Sequence, residues 1–247
     1  MAGRATALPK RPGLVSNTRK ETSITIEFCY RGIRTCGGLT FERSVQLIKL
    51  NPPFRRATQH DADVLAQLVN AAGEGLAEYI WIKIAQSDPG PDKPDPWDIG
   101  RQRQAKMALE GKIIVLEADK EPVAALTGYP IAPDPEPIPA DMPQMFKPLQ
   151  ELENAAPDTW YVNVLAALPQ HRGKGYGSKL LKLAEEIADN NNLSGLSLIV
   201  ADKNLRARKL YERCGFVEKS RKPIIRDNWA TDSREWVLLT KTFSQND

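Results

Sequence analysis

Hydrophobic residues recur along this chain with two periods, and the switches between them mark out short strands and helices from about residue 54 onward. Residues 54–57 read as a short first strand. Val64, Leu65, Leu68, Val69 and Ala72 then follow helical spacing, with Asp61 as the predicted cap. Leu76, Tyr79, Ile80, Ile82 and Ile84 predict a second amphipathic helix within residues 73–85. Four prolines in the eleven residues 87–97 require a loop, and a helix over 99–109 follows it. Residues 112–118 and 122–131 form a hairpin about Asp119-Lys120-Glu121. Seven prolines among residues 130–148 then argue against both helix and central strand.

The second half alternates more regularly. An apolar strand over 159–167 leads into a glycine-rich turn, and a helix over 177–190 carries Leu180, Leu183, Ala184, Ile187 and Ala188 on one stripe. Residues 196–200 form a buried strand. Asn204 opens a helix on which Ala207, Leu210, Tyr211 and Cys214 share the inward face, and Gly215 ends it as a residue after the last helical turn should. Residues 216–225 and 235–242 are the last two strands, separated by a loop over 226–233. Strands and helices in this alternation place the chain in the α/β (α+β) class.

Composition divides the 247 residues in two. Residues 1–56 hold 11 Lys and Arg against 3 Asp and Glu, whereas the remainder holds 23 against 28. A basic, partly disordered appendage over 1–50 therefore precedes a mildly acidic body over 51–247, with Asn51-Pro52-Pro53 as the boundary. Within the appendage, residues 23–30 alternate at period two and Arg31-Gly32 turns them back into a hairpin. Over about 20 residues this hairpin resembles the arm DNA-binding segment of some phage-type tyrosine recombinases, but no recombinase catalytic motif follows. A decorative or fused remnant is the preferred reading, and nucleic acid is expected as a partner only through residues 1–56, if at all. Cys29, Cys36 and Cys214 form no Cys-x-x-Cys pair, and His60 and His171 are the two histidines, so neither a disulfide frame nor a metal site is expected. No apolar run approaches the ~20 residues a membrane span requires, and the N-terminus has no signal-like apolar stretch. A cytoplasmic monomer or homodimer is expected.

The turn Pro169-Gln170-His171-Arg172-Gly173-Lys174-Gly175-Tyr176-Gly177-Ser178 carries the clearest chemistry. Glycine at every second position permits positive φ and keeps Cβ atoms away from a ligand, while peptide N–H groups at a helix N-terminus favour an anion. Lys174 is followed by Gly175 rather than Ser or Thr, which excludes the nucleoside-triphosphate P-loop. The Gly-x-Gly-x-Gly spacing likewise departs from the dinucleotide fingerprint. Gln170, Gly173 and Gly175 instead match Gln/Arg-x-x-Gly-x-Gly/Ala. About 27 residues on, the run from Asn204 to Phe216 matches Asn-x-x-Ala-x-x-Leu-Tyr-x-x-x-Gly-Phe. Both patterns resemble those of the GNAT superfamily, the acyl-CoA-dependent N-acyltransferases. The similarity is densest from Trp160 to Val217 and extends from about Pro53 to the C-terminus.

That resemblance implies a mixed, mostly antiparallel central sheet flanked by helices, acetyl-CoA as cosubstrate, no metal, and a primary amine of a small molecule or protein as acceptor. It implies cofactor contacts from Leu165, Ala166 and Ala167 on the strand before the turn, and from Arg172, Gly173, Lys174, Gly175, Tyr176, Gly177 and Ser178 within it. Asn204 would either cap its helix or bind a pantetheine amide, and Tyr211 would act as general acid toward the departing thiolate. Glu74, Glu78, Tyr79 and Trp81 fall in the region that lines the acceptor pocket in this family, and the proline-rich 130–148 would either cover that pocket or form a solvent loop. Where some family members carry a glutamate, Ile199 stands here. Glu78, Glu117 or Asp227 acting through water then remain candidates for the base, as does direct loss of the proton to solvent. A CoA-binding regulatory module with weak turnover is the alternative reading.

Overall fold

The computed structural model describes residues 48–243. The basic segment through residue 47, with its expected hairpin, Cys29 and Cys36, lies outside them. Seven strands form one sheet: β1 (Phe54–Arg56), β2 (Ile113–Ala118), β3 (Glu121–Pro130), β4 (Thr159–Ala167), β5 (Gly195–Ala201), β6 (Val217–Pro223) and β7 (Glu235–Thr242), in the order β1-β2-β3-β4-β5-β7-β6. Every neighbouring pair is antiparallel except β4 and β5. This is the mixed, mostly antiparallel sheet that the sequence implied.

Alternation along the strands gives the sheet two apolar faces, and each is covered by helices. Ile114, Leu116, Leu196, Leu198 and Val200 pack against α5 (Tyr176–Asn190) and α6 (Leu205–Arg213). Leu180, Leu181 and Ala184 of α5 are almost wholly buried there; each leucine side chain so buried is worth roughly 1.5–3 kcal/mol. On the opposite face, Ile113, Val115 and Ala125 meet α1 (Ala62–Ala72) and α3 (Pro96–Leu109). α2 (Leu76–Ser87) and α4 (Lys147–Asn154) cover Ala201, Trp236 and Leu238 on that same face.

Two local corrections follow from side-chain chemistry. Asp61 does not cap α1 through its side chain; its carboxylate instead forms a two-pronged pair with Arg55 at 2.7 and 2.9 Å and accepts from the Thr58 N–H. α3 begins at Pro96 rather than residue 99, because Asp95 accepts from the N–H groups of Trp97 and Asp98 and proline fits the first helical position. The proline-rich stretch also behaves differently at its end. A short 3-10 turn over Gln144–Phe146 runs into α4, with Pro148 in the first turn, where an absent N–H costs nothing. Met142, Met145 and Phe146 are buried, so this end of the segment is core rather than solvent loop.

Two features of β4 distort the middle of the sheet. Its register with β3 slips between Thr127 and Gly128, so that Val164 opposes Thr127, Val162 opposes Gly128, and Asn163 is the extra, bulged residue. A Cβ on Gly128 would lie 2.6 Å from the Tyr161 carbonyl oxygen, which makes glycine necessary at this close approach. β4 also pairs with β5 at only three positions, Thr159, Trp160 and Tyr161. Beyond them the two parallel strands diverge. The closed end is held by buried hydroxyls, with Thr159 Oγ1 donating to the Ala156 carbonyl at 2.7 Å and lying 2.7 Å from Ser197 Oγ.

Candidate active site

Divergence of β4 and β5 opens a cleft of about 600 Å³ that reaches both faces of the sheet. It is lined by Leu165, Ala166 and Ala167 of β4, by Arg172, Gly173, Gly175, Tyr176, Gly177 and Ser178 of the turn, and by Asn204 and Tyr211 of the α6 region. The structure thus brings together every residue the sequence put forward for this site except Lys174. That ammonium group instead lies 3.5 Å from His171 Nδ1 on the exposed side of the turn.

Local geometry explains the glycine spacing residue by residue. Gly173 and Gly175 both have φ of +80°, and a Cβ on either would meet no protein atom within 4 Å. Conformation, not crowding, demands glycine there. Gly177 differs, since a Cβ would stand 2.8 Å from Leu210 Cδ2, so its glycine lets α5 approach α6 closely. Gly175 is also the residue before α5, a helix whose first N–H groups have no intrahelical acceptor and face the cleft end of the turn. Arg172 is steadied by donating from Nε to the Ala167 carbonyl at 3.2 Å, and Arg206 and Arg213 line the same mouth. Unpaired N–H groups, a helix dipole and cations converge on one end of the cleft, an arrangement suited to phosphate. The cleft also exposes the β4 backbone, over 162–167, where it has left β5.

Asn204 caps α6, its Oδ1 accepting from the Ala207 N–H at 3.2 Å. Both roles considered for it remain compatible, because the amide nitrogen does not take part in the cap. Tyr211 lies on the inward face as its spacing predicted, 8% exposed, against Phe216. Burial, with a smaller contribution from Cys214, pushes its phenol well above the ordinary tyrosine value. The hydroxyl therefore keeps its proton across the physiological range.

The far side of the cleft is a chamber built by α1, α2, α4 and the neighbouring sheet. Leu76, Ile80, Trp81, Met142, Phe146 and Trp236 give it apolar walls, and Glu74, Glu153 and Arg103 of α3 give it charged groups. Tyr129 donates to Glu153 at 3.1 Å and stacks at a tilt on Tyr161. The loop between β6 and β7 is anchored beside it by Trp229, which stacks on Trp236 at 5.7 Å and 10°, and by the Tyr79 hydroxyl, which donates to the Asp227 carbonyl.

Of the acceptor-side candidates, Glu74 and Trp81 line the cleft and the others do not. Glu78 instead accepts from Trp97 Nε1 at 3.0 Å and Asn70 Nδ2 at 3.2 Å, joining α1, α2 and α3. Glu117 is paired with Arg55 at 2.7 Å beside β1, and Asp227 faces Tyr79 and Lys83. Glu153, Tyr129, Phe146 and Trp236 escaped the sequence reading. The stripe of Phe146, Leu149 and Leu152 at intervals of three was the available signal, hidden by the prolines around it.

The profile of the acetyltransferase (GNAT) family matches residues 79–216. Among curated proteins, thialysine N-epsilon-acetyltransferase of Bos taurus is 40% identical over 55 residues, which is 22% of this chain and 32% of that protein. The Mus musculus protein of the same name is 38% identical over 55 residues, with the same coverage. The chain thus spans about a third of the length of these relatives. Among solved structures, the ribosomal-protein-alanine N-acetyltransferase of Brucella melitensis is similar at 19% identity and a TM-score of 0.49, over 77% of this chain and 99% of that one. The yncA protein of Salmonella typhimurium, solved with its cofactor acetyl-CoA, gives 16% and 0.49 over 78% and 95%.

Proposed function

Since the chain belongs to the acetyltransferase (GNAT) family, we propose that it transfers the acetyl group of acetyl-CoA to a primary amine of a small molecule or protein by direct attack, with Tyr211 as general acid. The observation that carries this reading is the cleft between β4 and β5, which joins a phosphate-suited turn on one face to an apolar-walled chamber holding Glu74 and Glu153 on the other. The unit that carries the chemistry is residues 51–247.

Each part of the cosubstrate has complementary groups in this chain. Gly173, Gly175 and the first N–H groups of α5 suit the pyrophosphate, with Arg172, Arg206 and Arg213 beside them. The free backbone of β4 suits the pantetheine amides, as a ligand strand added to a sheet edge would require. The thioester, when bound, supplies an electrophilic acyl carbon and a thiolate leaving group. An alkylammonium of ordinary pKa about 10.4 is unreactive until it loses a proton, and a thiol near 8.5 leaves more readily if protonated as it departs. Tyr211 is suited to the second task by its place on the inward face of α6, where it lines the cleft and carries a phenol that is neutral at physiological pH.

Release of free CoA, followed with a thiol reagent over a panel of primary amines, tests the proposal. Replacing Tyr211 with Phe should reduce turnover by about 10²-fold, within the range for loss of a general acid, with acetyl-CoA affinity nearly unchanged. Undiminished turnover in that variant would remove Tyr211 from the chemistry. Tight acetyl-CoA binding with no amine acetylated would favour the regulatory module.

A further inference from the structure

Among the described residues, Glu74 and Glu153 are the carboxylates that line the cleft. They differ in setting. Glu153 accepts a hydrogen bond from Tyr129. Glu74 sits in the turn between α1 and α2 with φ of 52°, followed by Gly75 at 85°, and this left-handed pair is fixed by Gly75 N–H donating to Asn70 and Leu76 N–H donating to Gly73, both at 3.0 Å. The turn projects Glu74 toward the point where β5 ends and α6 begins. Asn204 meets it there, on the helix that carries Tyr211 two turns further on.

Asp202, the residue after β5, is near enough for its charge to act on Glu74. Its Oδ1 accepts from the N–H groups of Arg234 at 2.9 Å and Glu235 at 3.3 Å, and with Lys203 alongside these bonds hold it ionised despite its partial burial. The negative charge of Asp202 behind Glu74 disfavours a second negative charge there and adds to the attraction of Glu74 for a cation in the cleft. The neighbouring walls, Leu76, Ile80, Phe146 and Trp236, suit an apolar body behind that cation.

Resting on the reading of this cleft as an amine acetylation site, we infer that Glu74 is the catalytic base, receiving the ammonium group of an acceptor with an apolar body and taking its proton before attack. In that step one N–H bond of the ammonium breaks, the proton passes to a Glu74 carboxylate oxygen and then to bulk water, and the nitrogen lone pair is freed for the acyl carbon. Although the Glu74 residue retains an exposed outer surface, partial burial and then the charge of Asp202 raise its pKa, against a smaller opposing hydrogen bond from Asn204. A stronger base than an ordinary carboxylate results.

Titration calorimetry on the protein loaded with CoA tests this without requiring turnover, using 2-phenylethylamine and its neutral counterpart 2-phenylethanol as probes. The wild type should prefer the ammonium by about 10-fold or more, as a charge-assisted hydrogen bond implies. Glu74→Gln should bring the two probes within about 2-fold of one another while CoA stabilises the variant as before. No preference in the wild type, a preference retained in Glu74→Gln, or one lost only in Glu153→Gln would overturn the inference. If CoA itself fails to stabilise the wild type, the acetyl-transfer reading falls and takes this role with it, whereas CoA binding without ammonium preference removes the role alone.

Discussion

Gly175 illustrates how a single residue here serves shape rather than contact. With φ of +80° and nothing within 4 Å of the place a Cβ would take, its replacement by alanine meets no clash, only the left-handed backbone penalty. Gly175→Ala should therefore cost about 1–2 kcal/mol, read in urea as a lower midpoint at unchanged slope. An unchanged midpoint would mean that the turn relaxes freely. Tyr211 and Glu74 line the same cleft, and the pKa of each is raised, chiefly by burial; in the proposed reaction the phenol donates a proton and the carboxylate accepts one.

At the scale of elements, the Arg55 and Asp61 pair ties β1 to the start of α1, and its energetics depend on pH. Burial alone would raise the Asp61 pKa, but hydrogen bonds from Arg55 and Thr58 outweigh it and hold the carboxylate below its ordinary value. A depressed folded-state pKa contributes stability that is present above the unfolded value, about 3.9, and is lost as pH falls through the folded one. Asp61→Asn should cost about 2 kcal/mol near neutrality, as for a hydrogen bond to a charged group, and melting curves should show the deficit shrinking as pH falls below the unfolded carboxylate value of about 3.9. A deficit equally large in acid would contradict the assignment. The sequence showed Arg55 and Asp61 but not their pairing, because a periodic pattern predicts a cap at Asp61 and carries no information about a side chain six residues away. The same limit applies to α4. Its prolines read as breakers, yet proline in a first turn is harmless, and Phe146 and Leu152 are drawn into the core by tertiary burial. By contrast β4, α5, β5 and α6 were legible nearly to the residue, since each carries an apolar stripe with a clear punctuating residue beside it: Pro157 and Pro169 around β4, Gly175 before α5, Gly195 at the start of β5, and Asn204 and Gly215 around α6. The phosphate-suited half of the cleft lies on those elements and was visible in the sequence. The acceptor half is assembled from α1, α2, α4 and the sheet, and no local spacing announces such a junction.

For the whole molecule, the decisive arrangement is that one parallel strand pair in an otherwise antiparallel sheet parts after three residues. The sheet stays continuous at its closed end, through Thr159 and Ser197, and becomes a passage at its open end. In the proposed reaction, cosubstrate and acceptor approach from opposite faces and meet within the layer of strands. That division of faces places the cationic turn on one side and the carboxylates of Glu74 and Glu153 on the other. The measurement that bears on it most directly is thermal unfolding with and without acetyl-CoA, on the wild type and on Gly175→Trp, whose indole fills the turn. At 100 times the dissociation constant, acetyl-CoA should stabilise the wild type by about 2.7 kcal/mol and the variant negligibly. Equal stabilisation of both proteins, or none in the wild type, would contradict the placement of the cosubstrate between β4 and β5.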